Sequence, residues 1–140
     1  MKLLAILLLL PSLALAKKDY GSITPSEIRS VYDGDTFTVS IDDWPPIIGD
    51  KIKVRVAGID TPEIRGKCQR EKELARAAKQ HTVSFLREGK KVELRNIKRG
   101  KYFRIVADVY VDGRSLTKSL ADAGLGYLYA GGGKQSWCKN

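Results

Sequence analysis

Two runs of strict alternation flank a proline-rich connector, and they limit the folds open to this chain. In the first, Phe37, Val39 and Ile41 alternate with Thr36, Thr38 and Ser40; in the second, Ile52, Val54 and Val56 alternate with Lys51, Lys53 and Arg55. Side chains on a strand point to opposite faces in turn, so each run sets its apolar residues on one face. The intervening residues 42–50 contain Pro45 and Pro46, which cannot donate to a central ladder, so they read as a connection. Upstream, residues 27–32 are predicted as a strand ending at Asp33-Gly34, a tight-turn dipeptide. Three successive strands result, with Arg55 on the face opposite the apolar side chains.

The rest of the chain adds helices and two more strands. Residues 17–24 are polar and predicted to be loose, and residues 58–66 form a loop. Helix is predicted over 67–88, where Leu74, Ala75, Ala78, Phe85 and Leu86 recur on one side and Gly89 stops the run. Val92 and Leu94 mark a fourth strand. A fifth spans 103–111, with Phe103, Ile105, Ala107, Val109 and Val111 on one face. Asp112-Gly113 then turns the chain into a second helix over 115–123, closed by Gly124, and residues 126–140 form a short extended piece and a tail. This order predicts a β-barrel with helices (α+β): an OB-fold-type five-stranded antiparallel barrel with two or three packed helices.

At 140 residues the sequence holds one domain, preceded by a removable leader. Lys2 precedes an apolar run from Leu3 to Leu10, Pro11-Ser12 break it, and Ala14-Leu15-Ala16 supplies a small-x-small cleavage site. The run is shorter than the ~20 residues a spanning helix needs. Residues 1–16 therefore read as a signal peptide and 17–140 as the domain of a secreted or periplasmic protein. An N-terminal anchor or a buried helix is the competing reading. After cleavage a monomer with no stable membrane association is expected. The net charge of +9 loses only Lys2 with the leader, and so strong an excess favours a polyanionic partner. Cys68 and Cys138 are the only cysteines; the absence of any CxxC or Cys/His cluster speaks against a zinc site, and an oxidising compartment favours a disulfide over two free thiols.

Three acids, Asp35, Asp60 and Glu63, lie near strand ends around Arg55. A hard cation such as Ca²⁺ takes carboxylate and carbonyl oxygens, and Asp35 and Asp60 can each supply one. Taken singly, the Asp33–Asp35 and Asp60–Glu63 stretches are equally compatible with ordinary turns and caps. Arg55 and Arg104 each carry a planar fork that matches two phosphate oxygens at once. His81, the sole histidine, falls mid-helix near the apolar stripe, where a packed or surface role is expected. A carboxylate must then activate water, and Glu63 is the best placed.

Four motifs carry a resemblance: VYDGDT (31–36), VRVAGIDTPE (54–63), GKYFRIVADVYVDG (100–113) and ADAGLGYLY (121–129). Together they resemble the staphylococcal nuclease, or thermonuclease-like, family, in order from about Ser26 to Tyr129. The resemblance implies an OB-type barrel and a Ca²⁺-dependent endonuclease acting on DNA and RNA, with single strands preferred and 3′-phosphate and 5′-hydroxyl ends left. It implies Asp35 and Asp60 as side-chain calcium ligands, with Thr61 contributing a backbone carbonyl. Glu63 matches the proposed general base, and Arg55 and Arg104 match the pair gripping the scissile phosphate. Lys101 and Tyr102 resemble contacts to a neighbouring phosphate, and Tyr127 and Tyr129 the tyrosines of the nucleotide pocket. Phe103 stands where family members often carry glycine, and Gly100 replaces an acidic residue. The Cys68–Cys138 bridge is expected to replace the support of a further C-terminal helix found in longer members.

The competing function is a non-catalytic nucleic-acid-binding OB-fold module. A pure binder gains nothing from three carboxylates beside an anionic ligand, so the joint presence of the acids and arginines favours the enzyme.

Overall fold

The alternation of residue types becomes alternation of burial. A computed structural model describes residues 19–139, so the leader expected at 1–16 lies outside the described residues. The chain runs β1 (Glu27–Asp33), β2 (Thr36–Ser40), α1 (Pro46–Gly49), β3 (Ile52–Val56), β4 (Ile59–Asp60), α2 (Gln69–Glu88), β5 (Val92–Arg99), β6 (Arg104–Val111), β7 (Arg114–Ser115), α3 (Leu116–Asp122) and β8 (Tyr127–Leu128). Phe37, Val39, Ile52, Val54, Val56, Ile105, Ala107, Val109 and Val111 all point into one core, as their spacing requires. Phe103 does not join them. It sits in the turn before β6 with φ of 54° and is 71% exposed.

The main sheet is ordered β1-β2-β3-β6-β5, with the short β7 beside β6. Hairpin neighbours pair antiparallel, but β3 and β6 pair parallel, with Lys53 opposite Arg104 and Arg55 opposite Val106. The barrel strands are therefore not antiparallel throughout. The excursion from β3 through α2 and β5 is long enough to be a crossover, which parallel neighbours need. Residues 20–23, expected to be loose, instead pair with the outer edge of β5. The Tyr20 and Ile23 amides donate to the Ile97 and Leu94 carbonyls at 2.8 Å each. An edge strand's free amides and carbonyls need partners, and Ile23 packs on the core as it supplies them. The sheet thus curls into the expected α+β barrel-type fold, with three helices.

Helix α2 is drawn close to the site by small residues. Ala75, Ala78, Thr82, Phe85 and Leu86 face inward, and the Glu71 carboxylate accepts from the Lys67 amide at 2.7 Å, tying the residue before the N-cap Cys68 to the first turn. Gly34 lies directly beneath Ala78. A Cβ there would stand 2.8 Å from Ala78 Cβ and 2.9 Å from Thr61 Cγ2. The Thr82 hydroxyl donates to the Gly34 carbonyl at 2.6 Å, pinning the β1–β2 turn to the helix. His81 packs as expected, its Nε2 2.7 Å from Ser119 Oγ across the α2–α3 contact.

Two short elements go beyond the sequence reading. Pro46 begins α1 inside the proline connector, a position where the missing N–H costs nothing. Residues 59–60, expected in a loop, pair with β8: Ile59 opposite Leu128 and Asp60 opposite Tyr127. The Cys68–Cys138 disulfide is formed and ties the tail to the start of α2. Among the described residues no helix is long and apolar enough to cross a membrane.

The bridge closes a loop with a sequence separation of 70. Closing a loop of that length stabilises the fold by roughly 4 kcal/mol in the chain-entropy model. The double variant Cys68→Ser/Cys138→Ser should lose a comparable amount in chemical denaturation. Unchanged stability would show that the clasp contributes nothing.

Candidate active site

Arg55 is the centre of the arrangement. It projects from β3 on the face away from the core, yet its side chain is only 12% exposed. Nη1 donates to the Val56 carbonyl at 2.8 Å and lies 3.3 Å from Asp35 Oδ2; Nη2 lies 3.6 Å from Asp60 Oδ1. One guanidinium therefore gathers two carboxylates from segments remote in sequence, and both are buried.

Backbone contacts fix those carboxylates. Asp35 precedes β2, where Thr36 pairs with Arg55 itself. The Asp35 carbonyl accepts from the Val56 amide at 2.8 Å. Its Oδ2 accepts from the Thr61 amide at 2.9 Å, and its Oδ1 from the Thr36 hydroxyl at 3.0 Å. Asp60 is held by the β4–β8 ladder, and the Thr117 hydroxyl anchors the preceding loop by donating to the Ala57 carbonyl at 2.6 Å.

Asp33 is a third buried acid, which sequence reasoning assigned only to the turn. Its Oδ1 accepts from the Asp35 amide at 3.2 Å. Burial pushes its carboxyl up from 3.8 to about 8, and the charge and hydrogen bonding of Asp35 add to this. The DGD spacing, two acids two residues apart in one turn, was the available signal.

The C-terminal tail completes the site. Lys134 Nζ stands 3.0 Å from Asp60 Oδ1 and 3.5 Å from Glu63 Oε1, so Glu63 joins the cluster through this ammonium. Burial opposes the lysine's charge, but Asp60 and Glu63 prevail and hold it above the ordinary value. Trp137 is buried and stacks on Tyr127, ring centroids 4.0 Å apart, so one face of Tyr127 is covered. Tyr129 donates from its hydroxyl to the Gly132 carbonyl at 3.0 Å. Nothing local in the sequence marks Lys134 or Trp137; their only signal is Cys138, whose bridge returns the tail to Cys68, close after Glu63.

Arg104 lies on the strand beside Arg55, on the same outward face, and makes no ion pair with the acids among the described residues. Its Nε is buried and without a partner. Gly100 leaves room for it, since a Cβ there would come within 3.0 Å of Arg104 Cγ. Lys101 and Tyr102 sit in the exposed β5–β6 turn, and Arg104 Cζ is 6.0 Å from the Tyr102 ring.

The donor set suits a hard cation. Asp35, Asp60 and the Thr61 carbonyl offer oxygen ligands only, and the buried Asp60 Oδ1 is met by the charges of Lys134 and Arg55 rather than by a backbone donor among the described residues. No three His, Cys, Asp or Glu side chains converge as a ready-made cluster among the described residues.

The family model described as staphylococcal nuclease homologue matches residues 53–137. The chain belongs to that family. A search of curated proteins finds no match. In this staphylococcal nuclease homologue Asp35 lies upstream of the matched residues, and its bonds to Thr61 and Arg55 bring it to the same place. Trp137 and Lys134 lie within the match.

Asp33 gives the domain a measurable pH dependence. Its folded pKa is raised, so its stabilising contribution is complete below about 4 and is lost as pH rises towards about 8. In metal-free buffer the unfolding free energy should fall across that window. Asp33→Asn should flatten the slope; an unchanged slope would place the shift elsewhere.

Proposed function

We propose that this chain is a nuclease that uses Ca²⁺ to hydrolyse phosphodiester bonds of DNA and RNA, leaving 3′-phosphate and 5′-hydroxyl ends. It would act outside the cytoplasm, as a monomer, with single strands preferred. The observation that carries the reading is the convergence of Asp35 and Asp60 on Arg55, in a domain of the staphylococcal nuclease homologue family.

The chain's own groups divide the work. Asp35, Asp60 and the Thr61 carbonyl would hold the cation. Bound there, Ca²⁺ supplies positive charge to a phosphate oxygen and makes a coordinated water easier to deprotonate. Glu63, half exposed and therefore open to solvent, accepts the proton of the attacking water. Arg55 has five N–H donors and engages Val56, Asp35 and Asp60 with only part of them, so donors remain for a phosphate oxygen. Arg104, with its buried Nε unpaired, offers a second fork. Together the two guanidiniums counter the charge added when water attacks phosphorus. Tyr127, opposite Asp60, and Tyr129, whose amide donates to the Gly58 carbonyl, would stack a base, which an unstacked strand presents most readily. Lys101 and Tyr102, at the exposed turn, would meet a flanking phosphate.

A binding module without chemistry is the weaker reading. Asp35, Asp60 and Glu63 would repel the phosphate of a purely bound strand unless a cation stood between them.

Digestion of single-stranded DNA should require added Ca²⁺ and stop with a chelator; chelator-resistant cleavage would remove the metal from the mechanism. Glu63→Gln should lower kcat by roughly 10²–10⁴-fold, as for loss of a general base, while oligonucleotide affinity holds. Equal loss of both would make Glu63 structural.

A further inference from the structure

We propose that Lys134 is a tethered counter-cation that a divalent ion must displace, so that the C-terminal tail sets the metal affinity of the site. This rests on the metal-binding reading above. The Lys134 ammonium bridges Asp60 Oδ1 at 3.0 Å and Glu63 Oε1 at 3.5 Å. Asp60 is thereby a proposed metal ligand whose nearest cation is supplied by the chain itself; Arg55 is more distant from the same oxygen, at 3.6 Å.

The tail is built to present that cation. It is fixed on the far side by the Cys68–Cys138 bridge and by Trp137 buried against Tyr127. On the near side the Tyr129 hydroxyl holds the Gly132 carbonyl. Between these anchors Gly131 and Gly132 adopt φ of 104° and 86°, a region that side-chain-bearing residues rarely enter. Lys134 follows after Gly133, half exposed on a flexible stem, so the ammonium can leave Asp60 without unseating the tail. Tethering keeps its local concentration high wherever the bulk ions stand.

The consequence follows from linkage. An oxygen that pairs with Lys134 is not free to coordinate a divalent ion, so each weakens the other's hold by the same factor. Free of metal, the lysine offsets the repulsion of Asp60 and Glu63 with each other and with Asp35 and keeps their loops in place.

Calcium calorimetry on the full chain tests this, using wild type, Lys134→Met and Lys139→Met. Lys139 is an exposed lysine of the same tail and controls for loss of one positive charge. Lys134→Met should bind Ca²⁺ roughly three- to fivefold more tightly, the range a half-exposed ion pair supports. It should also melt lower than wild type in chelator, and Lys139→Met should match wild type in both measurements. Unchanged or weaker Ca²⁺ binding by Lys134→Met overturns the proposal, as does equal tightening in both variants, which would reduce the effect to net charge. If neither wild type nor Lys134→Met binds Ca²⁺ at about 1 mM, an affinity expected of extracellular sites, the metal reading itself fails and takes the proposal with it.

Discussion

A guanidinium nearly closed off from water sits between two buried carboxylates, and the rest of the site follows from that arrangement. Removing charges from water costs several kcal/mol per ion unless each finds partners. Arg55 therefore has to meet Asp35 and Asp60, and they have to meet it. The strand pairing makes this possible, because Thr36 lies opposite Arg55 and sets Asp35 alongside. The loop after β3 then returns over the same place, with the Thr61 amide closing on Asp35. Breaking one partner leaves an uncompensated buried charge, a loss of about 3–5 kcal/mol in comparable pairs. Structure and chemistry thus share one set of contacts.

The tail extends this principle. Arg55 alone faces the carboxylates of Asp35 and Asp60, with Glu63 nearby, and Lys134 supplies more positive charge from residues remote in sequence. The β4–β8 pair sets Tyr127 opposite Asp60, Trp137 covers Tyr127, and Cys138 fixes the end to α2. Each contact uses a different force: backbone hydrogen bonds, aromatic packing and a covalent link. Together they let a glycine-rich segment hold one ammonium in position.

The parts of the fold legible in the sequence are those written in local periodicity. The alternation in β2, β3 and β6 and the stripe on α2 identified their buried faces, and the lone cysteine pair identified the bridge. What was not legible depends on contacts between distant segments. The parallel β3–β6 pairing leaves no mark in either strand. Residues 20–23 show no alternation of their own, and they pair with the free edge of β5. Phe103 fits the period of β6 but falls in a turn with positive φ, where the alternation no longer applies. At the site, the acids and arginines were visible as residue types within motifs. Asp33 looked like a turn residue because burial, which raises its pKa, is not a local property. Lys134 is one lysine among many until the tail is folded back.

The claim that Arg55 binds Asp35 and Asp60 into a single unit is tested most directly by a double-mutant cycle on stability, with Arg55→Met and Asp60→Asn measured alone and together in metal-free denaturation. Residues in contact in one charged network couple by about 0.5–3 kcal/mol, and a value of about 1 kcal/mol or more is the expected result. Losses that add within about 0.3–0.5 kcal/mol, the behaviour of independent sites, would contradict the account.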